Sequence, residues 1–359
     1  MKNLIISKML ENNAQAVKYI KAETLKRANS NIKNINNQIK RDFGLVGPLS
    51  LSIPSDRVHA IRWATARESF IVETNVKRVT KEAVASAVAQ LNNCPYCEDA
   101  HVGSISGAGE DEIAEAISDG TWESLRDTKL KEIIRWSLNT RNPEHDIIKN
   151  PPFPAKEAPE IIGTALTFHS TNRLVSIYLE ESPMPAMLTN KLIKKTALSI
   201  ASKTLFKSMV VKDEPILPDE SLKFIDNVPV TGDLNWAKYI PAYAKALSAK
   251  NTLLLKIEKE IIPVKSAQLL KNKIKDWHGE EMPLGRSWLT ENLNGLSETE
   301  KPVARLMFLA AFAPYSIVEK DINDFRKIKS SDKELIEVCF WSIQMITNRI
   351  SEWLTKSFK

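Results

Sequence analysis

The chain has 359 residues, 43% apolar and 26% charged, with 50 Lys and Arg against 44 Asp and Glu for a net charge of +6. These proportions describe a globular protein and exclude disordered, collagen-like and multi-span membrane chains. Three Cys exclude a disulfide scaffold, and 11 Gly argue against an α/β enzyme built on glycine-rich loops.

In chain order, MKNLIISKMLENN carries an apolar run too short for a secretory signal, and no window approaches a membrane span. A cytoplasmic protein is expected, without membrane association. The basic run from Lys18 to Arg41 reads as a solvated amphipathic helix. No zinc-finger, RNA-recognition or helix-turn-helix signature accompanies it, so nucleic acid is not an expected partner. No segment shows a convincing β alternation beyond short runs such as Phe70 to Thr74. Apolar periodicity then predicts helices at Lys81–Asn93, Glu110–Asp119, Lys129–Thr140, Ile161–Glu180 and Thr189–Met209. Pro- and Asp-rich segments at Lys212–Ser221 and Asp226–Asp233 read as a linker. Helices resume at Trp236–Ser248, Lys256–Lys275, Glu300–Phe312, Glu319–Ile328 and Asp332–Phe358, with Pro263 breaking the second of these. The fold class is all-α, with 1–211 as a first unit, 212–233 as linker and 234–359 as a second unit.

The chemistry concentrates at Cys94-Pro95-Tyr96-Cys97. Two Cys at i and i+3 close a disulfide if a helix begins at them, and a helix N-terminus lowers a thiol pKa. Pro95 suits the first helical turn. His101 follows Cys97 by one turn and shares its face. Glu82, the only acid in the preceding helix, is placed to orient that His. Thiol, imidazole and carboxylate in a line form a nucleophile-activating relay. An activated thiolate attacks a peroxide O–O bond, and a second Cys condenses with the sulfenic acid. Twelve residues of straight helix, about 18 Å, separate Glu82 from Cys94, so direct contact with His101 requires crossed or bent helices.

Glu, eleven residues, CxxC, three residues, His resembles the signature of the AhpD-like alkylhydroperoxidases of the carboxymuconolactone decarboxylase superfamily. VGSISGAGEDEIAEAI after the motif and EIIGTALTFHSTNRLVSIYL further on extend the similarity. The resemblance implies an all-helical AhpD-like fold and peroxide reduction, with no metal, haem or flavin cofactor. It implies Glu82 and His101 as proton relay, Cys97 as peroxidatic residue and Cys94 as resolving residue. An external dithiol or thiol-protein then restores the thiols. Some members carry a His between the cysteines; Tyr96, a weaker acid, stands there in this chain. A homo-oligomer is expected. The alternatives are a carboxymuconolactone decarboxylase-like lyase, whose members generally lack the CxxC pair, and a redox-sensing interaction protein.

Cys-Pro-Tyr-Cys is also a glutaredoxin tetrapeptide, but that fold needs a strand where this sequence has a helix. A zinc site from Cys94, Cys97 and His101 lacks a nearby fourth ligand. Cys339 reads as core. His169, Asn172 and Arg173 share a helix face and are auxiliary candidates for a substrate channel. His59, His145 and His278 show no partner pattern and are read as surface. A displacement of 316 − 97 = 219 lays Cys94–Cys97 on Ala313-Pro314-Tyr315-Ser316 and Glu82 on Lys301, and SDKELIEVCFWSIQ echoes RDTKLKEIIRWSLN. The sequence therefore reads as tandem duplicated units whose second copy has lost its thiols.

Overall fold

The computed structural model of the protein describes residues 17–21, 29–44, 47–179 and 206–359. The helix expected at Thr189–Met209 and the N-terminal apolar run lie mostly or wholly outside them. Helices α1 (Ser30–Asp42), α2 (Asp56–Ala66), α3 (Arg78–Leu91), α4 (Pro95–Gly107), α5 (Asp111–Ser118), α6 (Thr128–Leu138), α7 (Asp146–Lys149) and α8 (Ala158–Tyr178) build the first half. Helices α9 (Lys207–Val210), α10 (Pro241–Ile261), α11 (Val264–Lys275), α12 (Ser287–Asn292), α13 (Glu300–Phe312), α14 (Glu319–Arg326) and α15 (Asp332–Leu354) follow. Among the described residues there is no strand, and no helix is long and apolar enough to cross a membrane. The β character expected at Phe70–Thr74 is corrected: α2 runs on into a wider π turn, Arg67–Ile71, closed by Val72 N–H donating to Arg67 C=O at 2.9 Å.

Helix α8 is the axis of the molecule. All but Thr167, Thr171 and Ser176 of its 21 residues are buried, so it has no solvent face to pattern. It packs on α3 and the π turn on one side and on α15 on the other, and one apolar core runs through both halves. Gly163 permits this approach, because a Cβ there would sit 2.6 Å from the Ser69 side chain and 2.8 Å from the Tyr243 ring. Pro263 ends α10 rather than kinking a longer helix, and α11 begins at the next residue.

Charged groups inside this packing are compensated. Arg67, fully buried, bonds Asp42 and Glu68 at 2.7 Å each and donates to Leu217 C=O at 2.8 Å. Glu68 in turn accepts from Ser221 Oγ at 2.6 Å, so the Pro- and Asp-rich segment is pinned to the π turn. His59 corrects its reading as a surface residue. It is 1% exposed, its Nδ1 is 3.2 Å from Ser52 Oγ and its Nε2 is 3.0 Å from Asn36 Oδ1. Burial and the nearby Arg62 hold its pKa down at about 3, so it stays neutral.

The second half runs from helix α13 through a turn to the short α14 and the long α15. Trp136 and Trp341, which the two echoed segments align, are both fully buried with an unpaired indole N–H. The following Ser137 and Ser342 both donate to the carbonyl four residues back. Ala313 enters its turn with a non-helical backbone, as Cys94 does, but the helix is a single 3-10 turn, Pro314–Ser316. Helix α4 thus has no full-length counterpart after Ala313. Lys301, in the place of Glu82, points to the exposed Glu298.

Lys81 and Glu160, both fully buried, face each other at 3.0 Å, and Glu160 also accepts from the Thr74 and Asn75 N–H groups. Glu160→Gln leaves a buried ammonium without its counter-charge and should cost about 3–5 kcal/mol. Urea unfolding at neutral pH measures it; an unchanged midpoint would show that the pair contributes nothing.

Candidate active site

The turn between α3 and α4 builds the site. Asn93 has φ +50°, a left-handed conformation that Asn tolerates better than branched residues. Its N–H bonds Gln90 C=O at 3.0 Å, and the Cys94 N–H bonds Ala89 C=O at 2.9 Å. These two bonds are a Schellman cap, which closes α3 and reverses the chain at once. Cys94 then stands as N-cap of α4 and Pro95 opens its first turn. Across the hairpin, Gln90 Nε2 donates to Glu98 Oε1 at 2.8 Å. Gly103 lets α4 lie against Phe206, whose ring a Cβ there would meet at 2.8 Å.

This hairpin brings Glu82 and His101 into direct contact, Oε2 to Nδ1 at 2.6 Å. The expected obstacle of about 18 Å dissolves in the geometry. Both residues lie on the same side of the turn, nine residues before Leu91 and six after Pro95. Only three residues of rise, about 4.5 Å, separate their levels. Arg78, one turn before Glu82, donates from Nε to the other carboxylate oxygen at 2.8 Å and stacks on the Phe70 ring at 4.1 Å. Burial pushes the Glu82 carboxyl up, but Arg78 and His101 outweigh it and hold the carboxyl below its usual range. The His101 ring is gripped edge-on by Phe70 and Phe168, with centroids 5.7 and 4.3 Å away. With Nδ1 facing a carboxylate, Nδ1–H donates to Glu82, and Nε2 is the ring nitrogen turned away from it.

The Cys94 and Cys97 sulfurs lie 2.7 Å apart, and both residues are buried. A disulfide, at about 2.05 Å, is a small movement away. The thiol acidity corrects the sequence expectation. Burial raises Cys97 well above the ordinary thiol range, the Cys94 sulfur adds to the rise, and only the Asn172 amide opposes it. Desolvation outweighs the helix terminus because the sulfur is cut off from water. Tyr96 lies partly buried beside the two sulfurs, which together with burial push its hydroxyl pKa up.

Of the auxiliary candidates, His169 is sealed inside. Its Nδ1 is 3.1 Å from Asn92 Nδ2 and its Nε2 is 2.9 Å from Thr140 Oγ1. Thr140 donates to Ser137 C=O, so His169 carries its proton on Nε2. Burial, Arg173 and Arg141 keep it neutral. Asn172 accepts from Asn92 Nδ2 at 3.0 Å, and its side-chain amide interacts with the Cys97 sulfur. Arg173 donates to Ala311 C=O at 3.0 Å and His169 C=O at 2.8 Å. Asn172 and Arg173 open onto a cavity of about 240 Å³ between the two halves; His169 does not.

Sequence reasoning missed Arg78, whose i, i+4 spacing to Glu82 was the available signal, and Asn92, which carried none. Cys339 is core, fully buried against Tyr178. Among the described residues, no three His, Cys, Asp or Glu side chains gather as a metal site.

Residues 58–124, from α2 to just beyond α5, match the carboxymuconolactone decarboxylase family. Over 339 residues the chain is 28% identical to a Mycobacterium tuberculosis protein named alkyl hydroperoxide reductase, covering 94% of this chain and 95% of that one. No solved structure gives a significant match.

A thiol pKa raised by burial means a thiolate fraction that grows tenfold per pH unit through the ordinary thiol range. Iodoacetamide alkylation of Cys97, followed by mass spectrometry, should still be rising at pH 9. Asn172→Leu, which removes the opposing amide, should move the curve to higher pH. A plateau below pH 8 in the native chain would contradict the desolvated site.

Proposed function

We propose that this chain, whose residues 58–124 form a carboxymuconolactone decarboxylase family domain, is a thiol-dependent peroxidase reducing organic or hydrogen peroxide through Cys94 and Cys97. The observation that carries the reading is the Glu82–His101 contact, fixed by Arg78 and two aromatic rings, one helical turn from a cysteine whose partner sulfur is 2.7 Å away. A buried thiol with a raised pKa needs a base, and the imidazole of His101, held by Glu82 through Nδ1, is the group placed to serve.

In the first step His101 Nε2 accepts the Cys97 proton while the sulfur attacks the distal peroxide oxygen. The O–O bond breaks, Cys97 becomes a sulfenic acid, and the leaving alkoxide takes the proton from His101 as an alcohol. Glu82 stabilises the imidazolium between these transfers. The Asn172 amide stabilises the thiolate. In the second step the Cys94 sulfur attacks Cys97 and water departs, leaving the disulfide. An external dithiol or thiol-protein supplies two electrons and two protons to restore both thiols. The name of the mycobacterial relative, alkyl hydroperoxide reductase, supports this chemistry. The C-terminal half, read as a second copy with Ala313 and Ser316 in place of the thiol pair, supplies packing and one wall of the cavity.

The test is steady-state peroxide consumption with a dithiol reductant. Cys97→Ser should consume none, and Cys94→Ser should stop at a sulfenic acid on Cys97, trapped by dimedone. Glu82→Gln and His101→Ala should each slow the first step by about 10²-fold or more. Stoichiometric oxidation without turnover would favour a redox switch instead, and a reactive Cys97→Ser variant would reverse the two cysteine roles.

A further inference from the structure

The cavity between the halves has a chemical character that the thiol chemistry does not explain. Its first wall is Asn92, Asn93, Asn172, Arg173 and Arg141; facing it are Trp277, Met282, Phe312 and Tyr315. Arg173 is 6% exposed, and among the described residues no carboxylate pairs with it. Its hydrogen bonds go to two neutral carbonyls. A buried guanidinium without a counter-charge is costly. Arg141 adds a second positive charge close enough to depress Arg173 further, to about 9, beyond the effect of burial. The Arg141 Nε is itself buried without a partner. Its one acid, Glu281 at 3.2 Å, is largely exposed on the rim. The other rim acid, Glu280, bonds the His278 N–H of its own loop.

The loop that closes the cavity is held in place. Gly279 has φ +102°, and a Cβ there would coincide with the Arg141 carbonyl. Only glycine can lie so closely over that turn. Two guanidinium groups, one wholly and one partly buried, therefore face a pocket with aromatic walls and an amide floor, and that floor reaches the reactive sulfur through Asn172.

Resting on the peroxidase reading, we propose that this cavity binds the carboxylate of a compact organic acid hydroperoxide through Arg141 and Arg173, and that Asn172 leads from it to Cys97. A volume of about 240 Å³ lies below the roughly 300–1,000 Å³ usual for small-molecule sites, which suits a compact acid over a long acyl chain. Trp277, Phe312 and Tyr315 favour an aromatic or branched body. The bound carboxylate replaces Glu281 on Arg141.

Calorimetry on the reduced full-length protein tests the site without any turnover, using benzoate against neutral benzamide. Benzoate should bind at least about tenfold more tightly, the scale of a charge-assisted hydrogen bond. Arg141→Gln should erase that preference, and Glu281→Ala, which removes the competing acid, should strengthen it. Arg141 is chosen because it is partly exposed; the more buried Arg173 is riskier for folding. Equal binding of benzoate and benzamide, or an Arg141→Gln variant that binds like the native protein, overturns the proposal. Kinetics make the second arm: kcat/KM for 4-carboxycumene hydroperoxide over cumene hydroperoxide should exceed one and fall about tenfold in Arg141→Gln. Peroxide turnover without benzoate binding removes the carboxylate site and leaves the peroxidase standing. Benzoate binding without turnover of either peroxide removes the peroxidase and leaves a carboxylate site.

Discussion

A chain reversal of three residues governs this protein. Asn93 in the left-handed region closes α3 and starts α4, and everything reactive is referenced to that turn. It fixes Cys94 at the head of α4, hence Cys97 one turn inside it, and it sets the level at which Glu82 meets His101. A different connection would shift α4 along α3, and each residue of slip moves a side chain by about 1.5 Å and rotates it by about 100°. The 2.6 Å contact would not survive such a slip.

The surroundings hold the turn by compensating charge rather than by avoiding it. Arg78, Glu82 and His101 form one buried set, Lys81 and Glu160 another, and Asp42, Arg67, Glu68 and Ser221 a third. Each ties segments distant in sequence, since a buried ion must find its partner wherever the fold brings one. Arg57 and Glu337 do the same across the halves, bonded at 2.7 and 2.8 Å. Against this background Arg173, with carbonyls alone for company, stands out.

The second half has a turn of its own, at Ala313, with no cysteine at its head. After Pro314–Ser316 the chain extends, and Val318 caps a new helix, α14, whose first turn returns Asp321 to the Val318 N–H. Arg286 bridges the Ser316 carbonyl and Asp321, occupying the acceptor that a continuing helix would use. This turn places Pro314 and Tyr315 on the cavity wall.

The sequence by itself determined the helical class, because apolar periodicity of 3.6 is a local property that survives in any packing. Glu300–Phe312 and the start of α15 at Asp332 match their sequence bounds, since amphipathic pattern and the Ser331 cap agree there. Residue types at fixed spacing also marked Cys94, Cys97, His101 and Glu82 as candidates, and the packing brings Glu82 to His101 and Cys94 to Cys97. Tertiary structure alone decided the rest. The burial of His59, the raised acidity threshold of Cys97 and the grip of Phe70 and Phe168 on His101 depend on which helices meet. The pairing of Arg141 and Arg173 joins residues 32 positions apart, opposite aromatics from the far half. Spacing along one helix can be counted in a sequence, but desolvation and cross-chain proximity are sums over neighbours that only the folded packing supplies.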